Sequence, residues 1–306
     1  MDNKPYRDLN AYYRDLFGRK AAKISLDGGF TCPNRDGTLG TRGCLFCSTG
    51  GSGDFAENAA LPIAEQVARG KAQTAQKWQN AAYIAYFQAF TNTYAPVSLL
   101  RQKYEEALAC PGVEGLAIAT RADCLPEDVL ELLAELNGRT QLWVELGLQT
   151  ANEASAERIR RGYPNAVFAA AVEGLAARGI PIVVHIILGL PGETREDVLA
   201  TIAYLNRLPI QGIKLQLLHV LADSDLAALY LAGEYEPLSE NAYIALLAES
   251  IAQLREDIVI HRLTGDGDRR TLLAPRWSLN KRGVLNHLHR YLRENQIRQG
   301  MSAKNL

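Results

Sequence analysis

Three thiols in a short glycine-rich stretch are the residues of this sequence best suited to chemistry. Cys32, Cys44 and Cys47 fall within 16 residues, with eleven residues between the first two and two between the last pair. Two residues is chelate spacing, because across a tight turn both thiolates reach one ion or cluster. Pro33, Asn34, Gly37, Gly40 and Gly43 let the intervening loop double back and bring Cys32 to the pair. A structural zinc ion takes four ligands, and the nearest histidine in sequence is the distant His185. A [4Fe–4S] cluster usually takes four thiolates, so three would leave one iron open to a substrate or cofactor. Spacing leaves both chemistries standing, beside the plain reading of three uninvolved thiols.

The remaining composition bounds the chain around them. It has 306 residues, 47% hydrophobic and 22% charged, with a net charge of -1. That is globular composition, and its apolar content excludes disorder. The length suffices for a sizeable core without disulfide staples. Five cysteines is an odd, sparse set, which argues against a secreted disulfide framework and for a reducing cytosol. No apolar run approaches the roughly 18 residues of a membrane span, so no membrane partner is expected. Met1–Lys20 is polar, carries both charge signs and does not read as a secretory signal.

Charge is unevenly spread. Residues 262–306 hold ten Lys/Arg against three acids, a net of +7, while the rest of the chain carries -8. A basic tail on an acidic body suits a polyanion partner, or a lid that docks on the body.

The elements that must position the thiols alternate regularly. Strands are expected at 22–26, 82–87, 115–119, 142–149, 180–188 and 213–220. Helices are expected at 61–77, 97–109, 125–136, 165–178, 194–205, 239–255 and 282–298. Several strands are nearly continuous apolar runs, as in a parallel sheet covered on both faces. Six strand–helix alternations imply parallel βα units in an open sheet, partial barrel or closed barrel. In such folds chemistry sits on loops after the strand C-terminal ends. The thiols follow the first strand, Gln88 and Thr91 the second, Arg121 and Asp123 the third, and Gly189–Thr194 the fifth; Gln149 ends the fourth.

Here the sequence resembles the radical S-adenosylmethionine (SAM) superfamily, in the branch that includes the Elongator catalytic subunit and, more closely, the bacterial YhcC/YtqA group. The resemblance spans nearly the whole chain. It rests on Lys23–Gly37 (KISLDGGFTCPNRDG), Phe46 before the last thiol, Tyr86–Pro96 (YFQAFTNTYAP) and Thr120–Pro126 (TRADCLP). It continues through Glu145–Thr150 (ELGLQT), His185–Thr194 (HIILGLPGET) and His261–Asp266 (HRLTGD). Ala122 departs from the group's usual proline.

The resemblance implies an α/β fold, a partial (βα)6 TIM-type barrel over residues 23–222. An N-terminal extension (1–22) and a helical, basic C-terminal extension (223–306) would pack on it. It implies an enzyme in which Cys32, Cys44 and Cys47 hold a [4Fe–4S] cluster that cleaves SAM reductively to a 5′-deoxyadenosyl radical. Phe46 is implied near the adenine, and Gln149 and His185 as SAM contacts. Arg161 is implied at the SAM carboxylate, with Arg160 as its competitor. Gln88 and Thr91 are implied as substitutes for the Gly-Gly-Glu segment by which many members bind the SAM amino group, which this chain lacks. Arg121 and Asp123 would position substrate or pair with each other. Cys124 reads as a small buried residue, and Cys110 has no chemistry to recommend it.

The expected partners are transfer RNA, with remodelling of a carboxymethylaminomethyl group on the wobble uridine, and a flavodoxin- or ferredoxin-type electron donor. The tail supports RNA by interleaving Trp277, His287, His289 and Tyr291 with arginines: cations meet phosphates while rings stack unpaired bases. The chain after the barrel leaves no room for an acetyltransferase domain, so Elongator's full reaction is not expected. The alternatives are a radical SAM enzyme acting on a metabolite or protein, and a non-catalytic, metal-dependent RNA-binding module. The expected location is the cytoplasm.

Overall fold

A computed structural model describes residues 4–51 and 53–303. Lys304, the last of the tail's ten basic residues, lies outside the described residues. The chain runs α1 (Leu9–Phe17), β1 (Ala21–Leu26), α2 (Ile63–Ala75), β2 (Ala82–Phe87), α3 (Val97–Leu108), β3 (Val113–Thr120), α4 (Glu127–Asn137) and β4 (Gln141–Gln149). It continues α5 (Glu153–Arg158), α6 (Asn165–Ala176), β5 (Ile182–Leu188), α7 (Arg195–Leu205), β6 (Gly212–Leu217), β7 (Val220–Leu221) and α8 (Leu226–Leu231). It closes with α9 (Glu240–Gln253), β8 (Val259–Arg262), β9 (Leu272–Ala274) and α10 (Lys281–Glu294).

β1 to β6 are parallel neighbours in sequence order, and β8 adds to β6 as a seventh parallel strand. The C-terminal region therefore does more than pack on the barrel, because it supplies an edge strand. Pro126, expected inside its helix, caps α4 instead. The expected sixth strand ends at Leu217, and Val220–Leu221 pairs antiparallel with β9.

Alternation of side chains gives the sheet two unlike faces. One set, including Leu26, Phe87, Ile118, Leu146, Ile186 and Leu215, is buried with the helices that follow the strands. The other set faces inward and mixes an apolar layer at the lower end with polar and charged residues above it. Lys23 on β1 and Lys214 on β6 both pair with Glu145 on β4. A flat sheet would set β1 and β4 about 14 Å apart, so these ion pairs close because the sheet curls into a half-barrel. α1 plugs its lower end: Tyr13 packs edge-on against Trp143 at 5.5 Å, in an apolar layer with Ala21, Ile84 and Val183. Asp8 caps α1 by accepting from the backbone N–H of Asn10 and Ala11, and Gly18 ends it in the left-handed region. The barrel interior is thus an apolar plug, then a charged layer, then the loops.

Candidate functional site

The long connection from β1 to α2 carries the thiols and is pinned at both ends of its turn. The N–H groups of Arg35 and Asp36 donate to the Cys32 carbonyl, Gly43 donates to Asn34 O, and Cys47 donates to Cys44 O. Leu45 N donates to Ile159 O while Leu45 O accepts from Leu226 N, so the turn is tied to α5 and α8. A side chain at Gly51 would strike the Phe90 ring at 2.3 Å, and that close approach docks the loop on the segment after β2.

This folding brings the expected residues together. Cys32, Cys44, Cys47, Phe46, Gln88, Gln149, Arg161 and His185 all line one cavity at the C-terminal ends of the strands. Glu145, Gly147 and Gln149 share the inner face of β4, and the missing side chain at Gly147 leaves room between them; a Cβ there would meet Gln149 Nε2 at 2.7 Å. The register shifts between Gly147 and Gln149, and Gln149 takes φ 66°. Such a bulge re-aims a side chain at the rim. Gln149 Oε1 is buried without a hydrogen-bond partner, an acceptor left for a ligand.

The thiols sit in a cationic frame. Asn34 Nδ2 donates to Cys44 Sγ at 3.4 Å and to Arg160 O at 2.6 Å. A hydrogen bond from Cys47, opposed by burial and helped by Arg121, Asn34 and Arg160, brings the Cys44 thiol down to about 6. The same contact and burial push the Cys47 thiol up, so of this adjacent pair Cys44 is the one that gives up its proton first. Among the described residues no three His, Cys, Asp or Glu side chains form a group able to hold one metal ion. Around a single zinc, each sulfur must lie about 2.3 Å from one point. A four-iron cube asks instead for one thiolate per iron, and three thiols on one cavity rim fit that demand.

Arg161 is 2% exposed and largely committed to the protein. It donates to the carbonyls of Leu148, Thr150 and Tyr163 and to Glu153, so one of its five N–H bonds remains for a ligand. Its neighbour Arg160 pairs with Asp225 at 2.6 Å through Nη1, while Nε and Nη2 are buried without partners. Arg121 and Asp123 form a two-pronged pair at 2.9 and 2.7 Å. Burial pushes the Cys124 thiol up to about 12, so it is inert. Phe46 lies between the cavity and an apolar cluster around Ile159, Ile187 and Val220.

His185 is a partnered residue that also lines the cavity. Its Nε2 lies 2.8 Å from Glu145 Oε2, and burial, with Lys214 nearby, takes it down to about 4. Glu145 itself is the centre of a network. Burial alone would raise its carboxyl, but Lys214 and Lys23 hold it well below the usual range. Lys214 also donates to Tyr86 OH at 2.9 Å, and burial lowers its ammonium to about 7.

The turn after β5 approaches α5 closely. A Cβ at Gly192 would meet Arg158 Nη1 at 1.9 Å, and Arg158 donates to Pro191 O at 2.6 Å. In the same turn Glu193 accepts from Thr150, yet burial raises its carboxyl from the ordinary 4.5 to about 7. An acid raised in the folded state stabilises fully below its unfolded value and loses that contribution as pH rises through its folded value. Glu193→Gln should flatten the stability profile between pH 5 and 8. The wild type loses roughly 1–3 kcal/mol relative to the variant over that window, as urea titrations at several pH values will show.

The tail divides. Its rings turn inward: Trp277 donates to Leu238 O at 3.2 Å and packs on Tyr243, His287 meets Glu240 at 2.7 Å, and His289 meets Tyr6 OH at 2.8 Å. Tyr291 is half-buried against the core. The expectation that these four rings stack bases is thereby corrected, because Trp277, in the turn before α10, and the three rings on α10 are all used in docking. Val284, Leu288 and Leu292 form the buried stripe of α10, and Arg282, Arg290 and Arg293 stand exposed.

Comparison with known proteins agrees with this geometry. The Radical SAM superfamily pattern matches residues 37–205 and the radical SAM C-terminal domain matches residues 210–294. YtqA of Bacillus subtilis is 45% identical over 97% of this chain and 92% of its own length. YhcC of Escherichia coli is 37% identical over 94% of each. In three dimensions, Elp3 of Methanocaldococcus infernus superposes with a TM-score of 0.68 at 14% identity. That match covers 91% of this chain, which spans 64% of the length of that protein, just under two thirds. Among the described residues no helix is long and apolar enough to cross a membrane.

Proposed function

We propose that this chain, which belongs to the radical SAM superfamily, modifies transfer RNA by remodelling a side chain on the wobble uridine. The family's cofactors are a [4Fe–4S] cluster and SAM, which together supply a 5′-deoxyadenosyl radical able to take a hydrogen atom from carbon. The chain's own residues bind and orient. Cys32, Cys44 and Cys47 present three thiols on the cavity rim that would hold the cluster, and with only three such ligands one iron would be open to a small ligand. Gln149 offers a buried amide oxygen, Gln88 and Phe46 line the same wall, and Arg160, whose backbone carbonyl meets Cys44, has two guanidinium nitrogens without partners.

The RNA assignment is carried by one observation. Arg282, Arg290 and Arg293 lie at helical spacing on the exposed side of α10 and, among the described residues, no acid pairs with them. Exposed cations without partners suit phosphates, and the inward rings make this a backbone contact rather than a base-reading one. Arg282/Arg290/Arg293→Ala should weaken transfer-RNA binding on the order of 10–100-fold at low salt and lower the salt slope by about 2–3. Filter binding across a salt series measures both. Binding with unchanged affinity and slope would refute the assignment. A reduced flavodoxin or ferredoxin is the electron donor this reading requires.

A further inference from the structure

The inner faces of β6 and β8 carry a surplus of positive charge. Strand register sets His185 beside Lys214, and Lys214 beside Arg262. Like charges directly opposite on neighbouring strands repel, and both side chains are turned to the same chamber. The carboxylate that answers Lys214 is Glu145, which already serves Lys23 and His185 as well. Arg262 is left with a loose ion pair to Asp266 at 3.7 Å, and Lys281 claims that same carboxylate at 2.7 Å. Among the described residues the Arg262 guanidinium makes no hydrogen bond. It lines the cavity of the thiols and the two chambers that continue from it. Gln216, one step up the inner face of β6 from Lys214, lines the cavity too and makes no side-chain hydrogen bond among the described residues.

A guanidinium fork, an ammonium and an amide, converging in one layer with more positive than negative charge, suit a small planar anion. We propose that Arg262, Lys214 and Gln216 form a subsite for a carboxylate carried by the substrate. The inference deepens the reading above, on which it rests for the ligand's source: a uridine side chain ending in a carboxylate is the substituent this layer would take. A phosphate of the RNA strand would have to bring its backbone inside the barrel, whereas the exposed arginines of α10 can meet it at the surface. The other source of a carboxylate in this cavity is the methionine portion of SAM, and the experiment separates the two.

Acetate is the probe. Thermal unfolding of the anaerobically reconstituted full chain is followed as acetate replaces chloride at constant ionic strength, with and without saturating SAM. A ligand of the folded state raises the midpoint with concentration. The wild type should show an acetate-specific rise that persists with SAM. Arg262→Gln should need at least tenfold more acetate for the same rise, Gln216→Ala about threefold more, and Arg262→Lys should keep part of the effect. No acetate-specific rise, or one unchanged in both Arg262→Gln and Gln216→Ala, overturns the subsite. A rise abolished by SAM assigns the carboxylate to SAM and overturns the substrate assignment. Acetate binding without transfer-RNA binding refutes the RNA reading alone, and the reverse pattern refutes the subsite alone.

Discussion

Cys44→Ala is expected to remove the cluster and leave the fold. The thiol sits on a rim loop and is not part of the hydrophobic core, so stability should change by less than about 1 kcal/mol. Reconstituted protein should lose most of its iron and its visible absorbance. Production of 5′-deoxyadenosine with SAM and dithionite should fall by at least ~1,000-fold, well beyond the 10–100-fold usual for losing an outer partner of a metal ligand. Cys124→Ala and Cys110→Ala are the controls. The first thiol is buried with its proton held tightly, and the second donates to Glu106 O at 3.3 Å away from the rim. Both should keep iron content and cleavage near wild type. Cluster and cleavage surviving Cys44→Ala would remove that thiol from the ligand set.

Glu145→Leu should have the largest effect on stability. Glu145 is 1% exposed, and two ammonium groups and an imidazole converge on it. Removing the carboxylate leaves Lys23 and Lys214 facing each other in a half-barrel with Arg262 nearby. Breaking a buried ion network this way costs about 3–5 kcal/mol, measurable as a lower urea midpoint at unchanged slope. Replacing the network together, Glu145→Leu with Lys23→Met and Lys214→Met, should recover most of that loss, because apolar groups of similar size carry no unpaired charge. The triple variant should still take up iron while losing the acetate effect. If Glu145→Leu alone unfolds at the wild-type midpoint, the carboxylate is not the counter-ion described.

The thiols, six of the strands and the order of the βα units were legible in sequence because each is a local pattern. Two-residue spacing marks a chelate, and apolar runs such as Ile182–Leu188 mark strands buried on both faces. The charged layer was harder. Lys23, Glu145, His185 and Lys214 each interrupt an apolar run at a position of the inward period, and that interruption was the available signal. What it could not give was the pairing, since curling of the sheet, not sequence proximity, brings β1 and β6 to β4. α1 escaped for the opposite reason: its apolar positions, including Tyr13, face a barrel bottom that exists only once the sheet has closed around it. β8 is only four residues long, too short for a periodic signal. The tail misled in part because alternating Arg and aromatic residues look alike whether the rings face solvent or core. For His287, His289 and Tyr291 the helical spacing beside Val284, Leu288 and Leu292 decides it, and it puts those rings on the docking side.

The account turns on three thiolates holding a four-iron cluster whose fourth iron binds SAM. Electron paramagnetic resonance of the anaerobic, dithionite-reduced chain, recorded before and after adding SAM, addresses it directly. The prediction is a reduced [4Fe–4S] signal at close to one per chain whose g-values move when SAM is added, with Cys44→Ala giving none. A silent protein with a single tightly bound zinc ion, or a cluster signal that SAM leaves untouched, would contradict it.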